Sequence, residues 1–131
     1  MATTTAQITL SSSDLTTDAL SLITTATLTD TASTTGVSQT SGLSRKITTS
    51  NSEYTLLAEA DYANDKAHKV YLKHVGTTAS DRVDVKFASQ SVGRLYAGDW
   101  MFMPWNGDTD IKLTPNVSTS VTVEYMVIIA S

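Results

Sequence analysis

Apolar and polar residues alternate with a period of two along most of this chain, and turn-forming residues interrupt the alternation at short intervals. Segment 82–88 shows it most cleanly. Val83, Val85 and Phe87 point one way, and Arg82, Asp84 and Lys86 point the other. Segments 43–48, 54–61, 68–75, 92–96, 100–105, 111–113 and 121–130 are also predicted as strands. Between them lie Asn64-Asp65-Lys66, Gly76-Thr77-Thr78, Ala97-Gly98-Asp99, Asn106-Gly107-Asp108 and Pro115-Asn116, all with turn chemistry. Short strands at this spacing predict an all-β fold: an antiparallel β-sandwich, jelly-roll-like, of about eight to ten strands.

The first 50 residues look different, and composition matters here. They hold 25 of the 39 serines and threonines, none of the nine aromatic residues, and only Asp14, Asp18, Asp30, Arg45 and Lys46 as charges. Such a tract often reads as linker or stalk. In 20–28, however, Leu20, Leu22, Ala26 and Leu28 share one parity, and Ser21, Thr25, Thr27 and Thr29 share the other. Alternation with β-branched threonine on the wet face predicts a half-buried strand. Residues 13–18 are open to a second reading, a short helix capped by Ser13 or Asp14. Segment 30–42 reads as a loop, residues 1–12 as a flexible N-terminal arm, and 13–131 as a single β-sandwich domain.

Two strands carry more apolar surface than a small sandwich needs. In 100–105, Trp100, Phe102 and Pro104 oppose Met101, Met103 and Trp105. In 121–130, Val121, Val123, Tyr125, Val127 and Ile129 oppose Thr122, Glu124, Met126 and Ile128. One face of each strand lines the core. The other must be covered by the threonine-rich first half, by another subunit, or by a partner. Met101, Met103, Trp105, Met126 and Ile128 are the candidate oligomer or partner interface. A sugar platform formed by Trp100 or Trp105 is a further candidate, because indole faces stack on sugar rings.

Candidate chemistry is sparse. His68 and His74 lie six residues apart on one face of a predicted strand, about 20 Å at the rise of an extended chain, too far to share an ion. Asn106-Gly107-Asp108-Thr109-Asp110 alternates oxygen side chains, but the position of the bidentate carboxylate of a calcium loop is taken by Val117. The favoured reading is a hairpin turn with solvated aspartates. No Gly-x-Ser-x-Gly elbow or phosphate loop is present, and the chain has no cysteine. A net charge of −4, with scattered basic residues, predicts no nucleic-acid groove. No run of apolar residues is long enough for a membrane span. The expectation is a non-enzymatic protein with no cofactor and no metal.

The C-terminal part of the chain, with Leu95-Tyr96-Ala97-Gly98-Asp99-Trp100, Met103-Pro104-Trp105, Asp110-Ile111-Lys112-Leu113 and Val123-Glu124-Tyr125-Met126, resembles small virion proteins of tailed bacteriophages. The resemblance implies a capsid cement (decoration) protein that binds the major capsid protein as a homotrimer, or a tail- or fibre-associated part. It implies location in the virion, after assembly in the host cytoplasm. From a different class, a carbohydrate-binding β-sandwich module is the alternative.

Overall fold

A computed structural model of the chain describes residues 3–15, 17, 19–34, 36–37, 39–49, 51–117 and 120–131. The antiparallel β-sandwich is present. Among the described residues eleven strands form in order: β1 Thr4–Ser12, β2 Leu20–Leu28, β3 Gln39–Thr40, β4 Ser44–Thr48, β5 Tyr54–Leu57, β6 His68–His74, β7 Arg82–Phe87, β8 Gln90–Tyr96, β9 Trp100–Trp105, β10 Ile111–Asn116 and β11 Val121–Ile129.

One sheet runs β5-β10-β7-β8. The facing sheet runs β11-β6-β9, with β3 and β4 sharing the far edge of β11. All pairings are antiparallel. From β4 to β7, successive strands alternate between the two sheets. The core between the sheets takes one parity from each strand: Val70 and Leu72 of β6, Val83 and Val85 of β7, Ile111 and Leu113 of β10, and Val121, Val123 and Val127 of β11. Fully burying such a side chain is worth about 1.5–3 kcal/mol, so this aliphatic layer dominates the fold.

Three segments depart from the expected pattern, each for a local reason. The 54–61 strand stops at Leu57, and Glu59–Asp61 turns as a 3-10 helix whose Glu59 N–H is held by Asp110 Oδ1 at 3.0 Å. β10 runs on through Pro115 to Asn116, although a proline offers no N–H to a sheet interior. Its neighbour β5 pairs only with Ile111–Leu113, so Pro115 keeps a single partner strand, β7, opposite Val83.

The third departure concerns residues 1–12, expected as a flexible arm. From Thr4 onward they form β1, paired with β2 residue for residue from Thr4↔Leu28 to Ser12↔Leu20. The reason is in the side chains: Ala6, Ile8 and Leu10 continue the parity of Leu28, Ala26 and Leu22, giving the hairpin one apolar face. At its tip Ser12 Oγ accepts the Asp14 and Leu15 N–H groups, at 3.4 and 3.0 Å. Ser13 to Leu15 form bends rather than helix; Thr16 and Asp18 of the helical alternative lie outside the described residues.

Candidate functional site

The outer face of the β11-β6-β9 sheet answers part of the question of surplus apolar surface. Phe102, Met126 and Ile128 point away from the sandwich core and pack with Leu28, Val37, Ala6, Ala67 and Ala130 in a second, smaller core. The serine- and threonine-rich first half covers them. Polar clasps seal the contact. Lys69 Nζ donates to the Thr29 carbonyl at 2.8 Å, Ala67 N–H to Thr31 Oγ1 at 3.0 Å, and Ser131 N–H to Asp30 Oδ1 at 3.0 Å. Burial holds Lys69 below the ordinary lysine range, against the opposing pull of Asp30.

The cover is incomplete. Between the hairpin and the sheet lies a cleft of about 320 Å³, lined from the hairpin by Ala6, Gln7, Ile8, Thr24 and Ala26 and from the sheet by Tyr71, Trp100 and Phe102. Its lining is mostly apolar atoms. Trp100 is 49% exposed. The Tyr71 hydroxyl donates weakly to Glu124 Oε1 at 3.4 Å, and Glu124 Oε2 is held by Arg45 at 3.0 Å. Burial, the Glu124 charge and that hydrogen bond all keep the Tyr71 phenol protonated beyond the usual tyrosine range. Farther out the hairpin leaves the sheet altogether. Leu10 and Leu22, directly paired, are 48% and 47% exposed, and Ile23 and Leu15 are more exposed still.

The five residues expected to form one interface are divided between two faces. Met101 and Met103 pack against the main core, and Trp105 is 3% exposed within it, its indole N–H donating to the Thr109 carbonyl at 3.0 Å. Met126 and Ile128 lie on the opposite face, beneath the hairpin. Parity alone separates them: Met101, Met103 and Trp105 pair with the inward Leu72, Val70 and His68 of β6, whereas Met126 pairs with the outward Tyr71. Of the two tryptophans, only Trp100 presents a ring to solvent. The residues that sequence reasoning missed are those of the hairpin, above all Ile8, Leu10 and Leu22, whose shared parity with Leu28 was the available signal.

The other candidates are structural. His68 Nδ1 accepts the Ala130 N–H at 3.1 Å, so Nε2 carries the proton and donates to the Ala63 carbonyl at 2.9 Å. Its ring packs with Tyr62 and Trp105. In the 106–110 turn, Asp108 Oδ1 accepts from the Asp65 N–H at 2.9 Å and Asp108 Oδ2 from Asn106 Nδ2 at 2.8 Å. These oxygens tie two loops together. Gly107 has φ 82°, and a Cβ there would sit 2.4 Å from the Ala63 carbonyl oxygen, so the turn requires glycine. Among the described residues, no three His, Cys, Asp or Glu side chains come close enough to hold a metal ion. None lies in a helix long and apolar enough to cross a membrane.

No protein-family model, curated protein or solved structure matches the chain.

Proposed function

We propose that this chain is a non-enzymatic structural protein of a tailed-phage virion, specifically a cement protein that seats on the major capsid protein and stiffens the head. The hairpin carries the argument. Its base is fastened to the sandwich, while in its outer half Leu10 and Leu22 pack on one another, about half exposed, and neither belongs to a core cluster of the described residues. An isolated two-stranded hairpin is marginal in water, and this one leaves apolar leucine surface exposed, so the feature makes sense as a contact for another surface.

The sandwich winding supports the same reading. Counting β4 to β11 as eight strands, the sheets run first-eighth-third-sixth and second-seventh-fourth-fifth. Two interleaved Greek keys of that kind make a jelly roll, an architecture frequent among capsid and lectin domains. Many copies bound to one shell add small gains per copy, which suits a weakly charged contact.

The test is attachment to purified heads stripped of the protein. The wild-type chain is expected to co-sediment with them, and Leu10→Asp/Leu22→Asp to bind at least about ten-fold more weakly while remaining folded. Equal binding by both chains, or binding of the wild type to tails alone, would sink the cement reading; the second result would favour a tail- or fibre-associated part.

One observation favours a second reading. Trp100, about half exposed, lines the cleft together with Tyr71, and aromatic faces of this kind stack on sugar rings. A glycan titration that quenches or shifts Trp fluorescence in the wild type, and not in Trp100→Phe, would support a carbohydrate-binding module. An unchanged spectrum removes it.

A further inference from the structure

Every outer strand of the sandwich has a feature that discourages pairing with another chain. β9 holds Pro104, which has no N–H to offer, and β4 carries Arg45 and Lys46. β8 carries Arg94 and lies across a break in register at Val85/Lys86. β3 is two residues long and β5 four. β1 has none of these. Its nine residues contain neither charge nor proline, pair with β2 without a bulge, and among the described residues pair with no other strand.

The outer side of β2 is not equivalent. Val37 N–H donates to the Leu28 carbonyl at 3.4 Å and Thr29 bridges Gly36, so the chain itself covers the base of that edge. Among the described residues β1 is the edge with no backbone pairing along its whole length, whereas β2 is open only short of Leu28.

β1 is also complementary to itself. Laid antiparallel on a second β1 about Ile8, it sets Ile8 against Ile8 and Ala6 against Leu10 on one face. On the other face it sets Gln7 against Thr9 and Thr5 against Ser11. Apolar meets apolar, polar meets polar, and no like charges oppose. Shifting the register by one residue would place Leu10 against Gln7 or Thr5, so the match excludes shifts of one residue.

We infer that β1 is a pairing edge for a second copy of this chain, joined about a two-fold axis into a four-stranded β2-β1-β1-β2 sheet. The occupant is a second copy because the strand read backwards supplies the required alternation over its full length, with no charge to exclude it. The main-chain hydrogen bonds provide attraction, and the exposed Leu10 and Leu22 of both copies come to one continuous face. The pairing rests on the strand edges and not on the virion reading. It is measured in solution without a particle, so either can fail alone.

The chain has no cysteine, so single cysteines report the register directly. Ile8→Cys puts two thiols opposite one another at the two-fold axis, whereas Ser21→Cys puts them on the outer strands. Mild oxidation of the purified chain is expected to give disulfide dimer at least about ten-fold faster for I8C than for S21C. Sedimentation is expected to show a dimer of the wild type, weakened at least about ten-fold by Ile8→Lys and unchanged by Ser21→Lys, with circular dichroism showing both variants folded. A wild type that stays monomeric up to about 1 mM overturns the inference. So do equal oxidation rates for the two cysteine variants, or a folded I8K that dimerises as tightly as the wild type.

Discussion

His74 sits at the inward end of β6, 1% exposed, with neither ring nitrogen hydrogen-bonded. A buried polar group without a partner costs about 1–3 kcal/mol. His74→Leu, of similar volume, is therefore expected to raise the unfolding free energy at pH 7 by about 1–2 kcal/mol in urea titrations. The neighbouring turn is fitted to that ring, since a Cβ on Gly76 would lie 2.3 Å from His74 Cε1. Tyr54 presents a second buried polar atom without a partner, its hydroxyl. Burial, aided by Tyr125, pushes its phenol up to about 12. The unfolded chain ionises near pH 10, so this group's contribution is whole below pH 10 and is lost as pH rises toward 12. Tyr54→Phe is expected to leave stability at pH 7 unchanged or slightly higher. Between pH 10 and 12 the variant should lose less stability than the wild type. Parallel denaturation curves across that interval would refute the assignment.

At the level of elements, the β1–β2 hairpin is the part with its own stability. Among the described residues its two strands form a sheet of their own, and its hold on the sandwich runs through Leu28, Ala6 and the polar clasps at Thr29 to Thr31. Leu28→Ala is expected to cost about 2–4 kcal/mol at that contact and to release the hairpin locally. Hydrogen exchange then speeds for amides of 4–12 and 20–28 while β6, β7 and β11 stay protected; uniform loss of protection would mean that hairpin and sandwich unfold together. Most elements could be read from side-chain parity. β2, β6, β7, β9 and β11 carry two or more apolar residues at alternate positions, which suffices to place a strand. β1 carries the same parity in Ala6, Ile8 and Leu10, but its partner lies across a polar loop and its threonines look like a free arm. Pro115 was read as a turn because the sequence does not reveal that β5 stops short beside it. Proline is tolerated within a strand where its nitrogen faces a side that has no partner strand.

Across the whole molecule, the sandwich class followed from the sequence, and the division of the candidate interface did not. Each strand's two faces were assigned correctly in β9 and β11. Which face of one strand joins which face of the other depends on β6, which lies between them and sets the register. Met103 opposite Val70 is inward; Met126 opposite Tyr71 is outward. The tryptophans test this placement. Trp105→Ala is expected to cost about 3–5 kcal/mol, whereas Trp100→Ala should change global stability by less than about 0.5 kcal/mol. Similar losses for both would contradict the inside–outside division. The cleft itself was out of reach of sequence reasoning, because it is a gap between two elements that never pair.

The clasp between Asp30 and the Ser131 N–H joins points 101 residues apart, and it has a consequence in time. The hairpin is synthesised before its seat of Phe102, Met126 and Ile128. At a rate of roughly 5–20 residues per second, the interval between completing β2 and completing β11 is roughly 5–20 s. Throughout it the hairpin has no surface of its own chain to rest on. On a crowded message, nascent chains therefore display this segment to one another before any of them has a folded domain. Slower translation lengthens that exposure, and a chaperone that shields the first 30 residues should raise the soluble yield.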